Sequence, residues 1–503
     1  MFEIRSSSIV KGYLDVNTIK WHCLINMTEK YIKIKKIFDL AMQEYKEKNF
    51  LSAIKLFKEI LELNANDVST LNNLGRVLKE LTKYKEAIFY YEKALKINPQ
   101  DIFTNYNLID IYEKINNHKK FEKSVLNAKT FLKDDPIIKL YEGILLYKNK
   151  KVLEAINILE FFLIEANKIK QDRFIALSLG KCYETLAKCY DHTKNAEKAF
   201  DFFTKANEIT FKFKNNNSNK KIYFNEIENR IKFFNKFKKE KWTSLETSNV
   251  QRDPIFMIGF PRSGTTLLDT ILRSHPSIEV IEEKPMILNL INSLNKLQDG
   301  GLEGLKKIGT NEIKKIRKIY FDSLESEIKN IDNSKIYIDK LPLNIIYVGE
   351  IFRIFPKAKF IISLRHPYDC VLSCFMQNFS INNAMANFLN LEDSAKLYDL
   401  VMKLWIQHTS IFPINYYEVR YENLVENLET TVKSLLEFLE QPWNDSVLEF
   451  YKTAREGRQI NTPSYDQVIK PIYSNAMGRW KMYKNQITHI YPTLEPWIKK
   501  FNY

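Results

Sequence analysis

The sequence predicts two domains of different class: an all-α array of paired helices, followed by an α/β domain built on a mostly parallel sheet. The first half of the chain repeats with a period of 34 residues, as Ala53 and Ala87 illustrate. From Asp253 onward, short apolar runs alternate with helical segments, and the first of these runs leads into a glycine-bounded loop. A chain of 503 residues is also too long for one ordinary core.

The composition is that of a folded, basic protein. Hydrophobic residues make up 45% and aromatic residues 13% of the chain, and the formal net charge is +15. This charge fits either a solvated surface rich in Lys and Asn or an anionic partner. No zinc-ligand spacing, RNA-binding pattern or helix-turn-helix signature accompanies it, so we expect no nucleic-acid partner.

Cysteine usage and hydropathy predict the compartment. None of the five cysteines forms a CxxC pair. Their spacings are typical of buried small side chains in a reducing compartment. We find no signal-peptide core and no run approaching about 18 uncharged apolar residues, which a span would need. The expectation is a cytoplasmic protein without a membrane span.

Small and aromatic side chains recur at fixed places in the repeats. The recurring positions are Ala53, Ala87, Phe121 and Ala155; Phe57 and Tyr91; and Leu61 and Leu95. Small residues let paired helices approach closely, and Asn98-Pro99 stops one unit. The units within Lys35–Pro99 resemble the tetratricopeptide repeat (TPR) in period and pattern.

Three more degenerate units follow, over residues 102–135, 136–167 and 172–209. About five helix pairs would stack into a solenoid with a concave face. Such an array is either a spacer or a binding surface. Its extended groove favours a protein or peptide partner.

The predicted boundaries divide the chain into four parts. They are an N-terminal segment (1–34), the repeats (35–210), a linker with a basic helix (211–252) and the α/β domain (253–503). In the linker, a polar run over 215–219 predicts a loop and the pattern of 222–241 predicts one helix.

Four apolar runs in the last part predict parallel strands: Ile255–Ile258, Ile336–Ile338, Lys359–Leu364 and Asn415–Val419. In such sheets, ligands bind at the carboxyl ends of the strands. The functional residues are therefore expected in the loops that follow these runs.

The loop after the first run, Gly259–Thr266, has the sequence GFPRSGTT. A strand, a glycine-bounded loop and a helix are the layout that surrounds a phosphate with backbone N–H groups. The loop fits the P-loop spacing, except that Thr265 stands where the Lys belongs. The nearest cation is Arg262. The pattern predicts a phosphate site, although not one designed for ATP.

Three of the predicted strand ends carry a cation: Arg262, Lys340 and Arg365. One of them alone would be explained by a salt bridge, but three together favour a multiply anionic ligand. A nucleotide triphosphatase also needs an acid for Mg²⁺. Asp339 is the one good candidate, so this class is disfavoured and we expect no metal.

A family resemblance emerges from the order of these motifs. The block Pro261–Leu267, with Arg365 and Ser373 downstream, resembles the sulfotransferases that use 3′-phosphoadenosine 5′-phosphosulfate (PAPS), and most closely the tyrosylprotein sulfotransferases. The resemblance runs from Asp253 to the C-terminus. Further matching segments are His275-Pro276, Glu282-Glu283, Asp339–Pro342, Tyr421–Val425 and Asp466–Pro471.

The resemblance implies a role for each matching residue. Glu283 would be the catalytic base, with Lys340 and Ser464 stabilising the transition state; Glu282 is either a rival base or a surface acid of a helix or turn. PAPS would be the co-substrate. The residues implied in binding it are Arg262, Ser263, Gly264, Thr265 and Thr266 at the 5′-phosphosulfate, Arg365, Ser373 and Arg479 at the 3′-phosphate, Tyr421 near the adenine, and Lys470 in a loop over the cofactor.

The chain departs from the family's pattern at Gln377, where the family often has another Arg. The acceptor and the function also have alternatives. The expected partners are PAPS or its product PAP, and a protein or peptide on the repeat face. The acceptor hydroxyl belongs to a tyrosine, or to a glycan, lipid or small molecule. Rival hypotheses are a TPR scaffold whose second domain binds nucleotide without turnover, and a nucleotide kinase.

Overall fold

The computed structural model describes residues 28–169, 172–214, 218–237, 253–297, 300–328, 331–452 and 476–503. The chain divides into two compact units, Met1–Thr193 and Lys194–Tyr503. The first is helical where it is described, and the second is built on a parallel sheet.

The first unit is a series of helices joined by short turns. Its described helices are α1 (28–46), α2 (Phe50–Leu63), α3 (Val68–Glu80), α4 (Tyr84–Ile97), α5 (Ile102–Lys114), α6 (His118–Phe131), α7 (Pro136–Lys148), α8 (Val152–Ala166) and α9 (Arg173–His192). Alternate helices, beginning with α3, start at an Asp whose carboxylate accepts hydrogen bonds from backbone N–H groups of the first turn. These N-caps satisfy donors that would otherwise lack partners.

The turns within the helix pairs repeat as well. Lys48, Thr82, Asn116 and Lys150 each have positive φ, between 53° and 65°, and each follows the first helix of a pair. A single left-handed residue of this kind reverses the chain after a helix. The 34-residue period is therefore present in the backbone as well as in the side chains.

Small residues bring the paired helices together, as the sequence predicts. Ala53, Ala87 and Ala155 are fully buried. A Cβ on Gly75 would lie 2.5 Å from the Tyr91 ring, and one on Gly143 would lie 2.6 Å from Leu159. The predicted all-α, TPR-like solenoid is confirmed.

The second unit has a five-stranded parallel sheet of order β2-β3-β1-β4-β5. The strands are β1 (Ile255–Gly259), β2 (Ile278–Glu282), β3 (Ile336–Lys340), β4 (Lys359–Leu364) and β5 (Asn415–Arg420). The four predicted strands are confirmed. The sequence analysis missed β2 because its five residues contain two glutamates and form no apolar run.

Helices surround this sheet. The described α-helices include α10 (Ala196–Lys214), α11 (Lys220–Phe237), α12 (Thr265–Arg273), α13 (Met286–Leu294), α14 (Gly301–Lys307), α15 (Thr310–Glu327), α16 (Val348–Ile354), α17 (Pro367–Phe375), α18 (Leu391–Ile411), α19 (Tyr421–Glu426), α20 (Leu428–Phe438), α21 (Lys484–Ile487) and α22 (Tyr491–Lys500). A 3₁₀ helix covers Arg479–Tyr483. No helix in the described parts of the chain has the length and apolar character needed to cross a bilayer.

Two of these helices precede the sheet in the chain but pack within the second unit. Asn207 on α10 donates a hydrogen bond of 2.9 Å to the carbonyl of Phe375, at the end of α17. Arg230 on α11 donates one of 2.8 Å to the buried Glu350. The sequence analysis included α10 in the repeats, whereas its contacts group it with the second unit.

Candidate active site

The loop between β1 and α12 is held in a conformation that few residues adopt. Gly264 precedes α12 with φ of +103°, and a Cβ there would lie 2.7 Å from the Tyr421 ring. Arg262 also has positive φ, at 67°. Such a backbone is costly for a non-glycine residue and is typical of functional loops. The first N–H groups of α12 follow this loop without a side-chain cap, so they are available to an anion.

Neighbouring elements fix this loop. The Ser363 hydroxyl on β4 donates a hydrogen bond of 2.9 Å to the carbonyl of Ser263. The Cys374 thiol on α17 contacts the carbonyl of Pro261 at 3.3 Å. The hydroxyl of Ser263 is itself buried and has no hydrogen-bond partner among the described residues. Such a hydroxyl is free to hydrogen-bond a polar ligand that enters the loop.

Two arginines and a serine from three chain segments meet beside the loop. Arg262 donates through Nε to the Ser373 hydroxyl at 3.0 Å, and Arg365 donates to the carbonyl of Arg262 at 3.1 Å. The Arg365 guanidinium lies over the Tyr421 ring, 4.7 Å from its centroid. Its Nε is buried without a partner in the described part of the chain. The predicted residues Arg262, Arg365, Ser373 and Tyr421 are therefore neighbours.

On the other side of β1, Lys340 lies among three carboxylates. It ends β3 with its side chain fully buried. Its ammonium donates to Glu283 Oε1 at 3.0 Å and to Glu282 Oε1 at 3.2 Å, and Asp269 Oδ2 lies 3.8 Å away. Asp269 also accepts from Arg273, with the shortest contact at 2.7 Å. We call these five residues the Lys340 cluster.

Burial and ion pairing have opposite effects on the pKa values of this cluster. Burial acts to lower the pKa of Lys340, but Asp269, Glu283 and Glu282 outweigh it, so the pKa is raised and the ammonium stays charged. Burial raises the pKa of Asp269 to about 6, against the opposing effects of Arg273 and Lys340. A charged lysine at a strand end can therefore stabilise negative charge that develops during a reaction.

Glu283 is the most accessible acid of the cluster and has a strained backbone. Its φ is +51°, and its side chain is 44% exposed, against 12% for Glu282. A backbone hydrogen bond of 2.8 Å from its N–H to the carbonyl of Lys340 holds this conformation. Glu282 ends β2 and contacts Lys340, so the expectation of a surface acid on a helix or turn is wrong. Strain of this kind clusters at functional sites.

The Asp339 side chain lies in different surroundings from the side chain of Lys340. It is buried, and burial raises the pKa of its carboxyl to about 8, against a weak hydrogen bond of 3.4 Å from the Tyr320 hydroxyl. A carboxyl that is protonated at neutral pH is a poor ligand for Mg²⁺. Among the described residues, no group of three His, Cys, Asp or Glu side chains is arranged to hold a metal ion.

The structure thus brings most of the predicted site residues to one edge of the sheet. Thr265 and Thr266 begin α12. Arg479 begins the 3₁₀ helix that follows Gly478. Ser464 and Lys470 lie outside the described residues.

Sequence reasoning missed Asp269, Arg273 and Asp369. For the first two, a signal was present: they form an i, i+4 pair in the helix that follows the loop. Asp369 likewise lies four residues after Arg365, 3.9 Å from it, but its backbone partners Gly478 and Trp480 are more than 100 residues away in the chain and leave no local pattern.

Two family models match the chain. Residues 254–445 match the model described as Sulfotransferase family, and residues 68–101 match the tetratricopeptide repeat. The first match contains the loop, the Lys340 cluster, Arg365, Ser373 and Tyr421. The parallel-sheet region of the chain is therefore similar to the sulfotransferase family, and it follows a TPR-like solenoid.

Relatives align over part of their length. An uncharacterized protein of Aquifex aeolicus (strain VF5) is 32% identical over 329 residues, which are 63% of this chain and 41% of the relative. Protein-tyrosine sulfotransferase A of Caenorhabditis elegans is 27% identical over 239 residues, 45% of this chain and 60% of the relative. The chain thus spans about half the length of these relatives. Among solved structures, the sulfotransferase domain of the Synechococcus PCC 7002 olefin synthase is 19% identical, with a TM-score of 0.33, and covers 48% of this chain and 91% of that one.

Proposed function

We propose that the sulfotransferase-family domain of this chain transfers the sulfuryl group of PAPS to an acceptor hydroxyl, with Glu283 as the base. The observation that carries the proposal is the arrangement at one sheet edge. On one side of β1, Lys340 Nζ lies 3.0 Å from Oε1 of the strained Glu283. On the other side lie Arg262, Arg365 and Ser373. An acid–cation pair thus adjoins a phosphate loop.

The residues beside the loop fit a donor with two separate anionic groups. The loop N–H groups and Arg262 would hold the 5′-phosphosulfate, and Thr265 leaves out the lysine that a triphosphate needs. Arg365 and Ser373 would hold the 3′-phosphate, with Arg479 and Lys470 contributing further positive charge. The buried Ser263 hydroxyl and Arg365 Nε, without partners in the described residues, support this assignment because a bound anion would satisfy both. Tyr421 would form part of the adenine side of the pocket.

The chemistry needs a proton acceptor and positive charge at fixed places. As the acceptor oxygen forms its bond to sulfur, its proton passes to the Glu283 carboxylate, and the bond from sulfur to the phosphate oxygen breaks. General base catalysis of this kind contributes about 10²–10⁴-fold. Lys340 would stabilise the charge that develops on the sulfuryl and leaving oxygens, together with Ser464. The side chains supply the positive charge, so the proposed reaction needs no metal.

The proposed acceptor is a tyrosine hydroxyl of a protein or peptide. Two features support this class: several relatives are named protein-tyrosine sulfotransferases, and the chain also carries a repeat array of a type that binds protein segments. A glycan or a small molecule is the alternative acceptor.

The direct test is to measure PAP release from PAPS with acceptor mixtures, using the full chain. Glu283→Gln and Lys340→Met should each reduce kcat by at least about 10²-fold, while binding of PAP remains. Glu279→Gln is the matched control, because Glu279 lies on the same strand β2 but pairs with Lys335, 3.9 Å away. Its turnover should equal that of wild type.

Three outcomes would count against the proposal. PAP binding without turnover by wild type would indicate a non-catalytic nucleotide-binding domain on a scaffold. Mg²⁺-dependent binding of ATP tighter than that of PAP would indicate a kinase. Labelled sulfate that protease treatment leaves on glycans or small molecules would exclude the protein acceptor.

A further inference from the structure

A buried carboxylate outside the assigned site holds the chain on both sides of Arg479. Asp369 lies in the first turn of α17 and is 2% exposed. Its Oδ2 accepts the backbone N–H of Gly478 at 2.7 Å, and its Oδ1 accepts that of Trp480 at 2.9 Å. The backbone of the residue between them is thereby fixed against α17.

Two further contacts attach the same segment to the candidate phosphate site. Arg365 donates through Nη2 to the carbonyl of Ala476, and its other Nη donates to the carbonyl of Arg262. The Trp480 ring stacks on His366, with centroids 5.1 Å apart and planes 23° from parallel. Residues 476–480 therefore pack against the start of α17, next to the loop.

The charge of Asp369 suits this place. Carboxylates are favourable in the first turn of a helix, and bonds from N–H to an ionised acceptor are stronger than neutral ones. Arg365 lies 3.9 Å from Asp369 Oδ2, within ion-pair distance. Gly478 has φ of +65°, which turns the chain so that its N–H and that of Trp480 reach one carboxylate.

We propose that Asp369 is a positioning residue of the 3′-phosphate pocket: it fixes the backbone around Arg479 so that this cation joins Arg365 at the donor. The inference rests on the proposed function. Asp369 itself would not contact the donor, because it is 2% exposed and its negative charge opposes that of a phosphate. Its effect is therefore confined to ligands that carry a 3′-phosphate.

The test compares two ligands that differ in this group. PAP carries 5′- and 3′-phosphates, and AMP carries only the 5′-phosphate. Calorimetry on the full chain should show that Asp369→Asn raises the dissociation constant of PAP at least tenfold. The dissociation constant of AMP should change less than twofold. When Arg479→Ala is already present, adding Asp369→Asn should raise the dissociation constant of PAP by less than a further threefold. The two substitutions are expected to be non-additive because both act through the same cation.

The matched control is Asp399→Asn. Asp399 also anchors C-terminal residues, because it accepts from Trp497 Nε1 at 3.0 Å, but it belongs to α18. Its variant should bind both nucleotides as wild type does. The inference is overturned if Asp369→Asn weakens the binding of PAP and of AMP equally. It is also overturned if the effects of Asp369→Asn and Arg479→Ala on PAP binding are fully additive.

A measurement on wild type covers the case in which Asp369→Asn fails to fold. Saturating PAP should slow amide exchange at Gly478 and Trp480 more than saturating AMP does. Equal slowing by both ligands, or none by PAP, overturns the inference. If wild type does not bind PAP at all, the proposed function fails first, so the two failures are distinguishable.

Discussion

Lys181 in the first unit and Lys340 in the second are both lysines paired with carboxylates, but their surroundings differ. Lys181 on α9 pairs with Asp110 and, at 3.2 Å, with Glu113, both on α5. Lys79 on α3 pairs with the same Asp110 at 2.8 Å, and Lys148 on α7 lies 3.9 Å from Glu113. This Lys181 cluster joins four helices of the solenoid.

The two clusters have opposite charge balance and different backbones. The Lys181 cluster has three lysines and two acids, all within regular helices. The Lys340 cluster has three acids and two cations. Glu283 is held there at positive φ, at the end of a strand. The same ion-pair chemistry serves packing in one unit. In the other, strain and surplus negative charge accompany the proposed catalytic residues Glu283 and Lys340.

The largest expected difference concerns turnover. Lys340→Met should reduce kcat with PAPS about 10²–10³-fold, because a cation at the reacting group is lost. Lys181→Met should leave kcat unchanged, because Lys181 belongs to the packing of the solenoid. Steady-state assays of both variants, with amide exchange to confirm folding, test this. A comparable loss in both would remove the functional distinction between the clusters.

A smaller effect is expected on stability. Asp110→Asn removes the acid shared by Lys79 and Lys181 and should cost about 1–3 kcal/mol, as for hydrogen bonds to charged groups. Amide exchange over α5 and α9 in the full chain measures it. Glu86→Gln is the control, since Glu86 and Lys83 form an exposed pair at 3.7 Å, of a kind worth about 0–1 kcal/mol. Equal effects of the two variants would show that the Lys181 cluster is no more than a surface pairing.

The smallest expected effect is a difference in pH dependence. Burial acts to raise the pKa of Asp110, but Lys181 and Lys79 outweigh it and hold the pKa below its usual 3.8. Its stabilisation is present above pH 3.8 and is lost as the pH falls further. Burial raises the pKa of Asp269 to about 6, so its contribution is present below pH 3.8 and is lost as the pH rises through 6.

The two units should therefore respond to pH with opposite sign. Each slope is at most about 1.4 kcal/mol per pH unit for one proton. The measurement is amide hydrogen exchange at several pH values, corrected for the intrinsic exchange rate. Comparing wild type with Asp110→Asn and Asp269→Asn would isolate the contribution of each carboxyl to stability. A slope of the same sign at both sites would contradict the pKa assignments.

Local patterns predicted much of the fold. The positions of Ala53, Ala87 and Ala155 gave the period of the solenoid, and the GFPRSGTT loop predicted a phosphate site after β1. Both depend on contacts within one repeat or one strand–loop–helix unit. By contrast, β2 was missed because two glutamates interrupt its apolar pattern.

The site was predictable only in part, for a similar reason. Glu283 and Lys340 are 57 residues apart, and the hydrogen bond between them exists because β2 and β3 are neighbours in the sheet. Asp369 and Gly478 are 109 residues apart. Neither pairing leaves a local pattern, so resemblance to a family suggested the first and nothing in the sequence suggested the second.

The sequence by itself determined the two fold classes, the glycine-bounded loop after β1 and the identity of the cations at the strand ends. Their periods and spacings follow from helix and strand geometry, which acts over a few residues. Only the tertiary structure decided that α10 packs within the second unit, that Lys340 is held by Asp269 and Glu282, and that Asp369 fixes the backbone around Arg479. Those choices depend on burial and on hydrogen bonds between distant segments, and these exist only once the chain has folded.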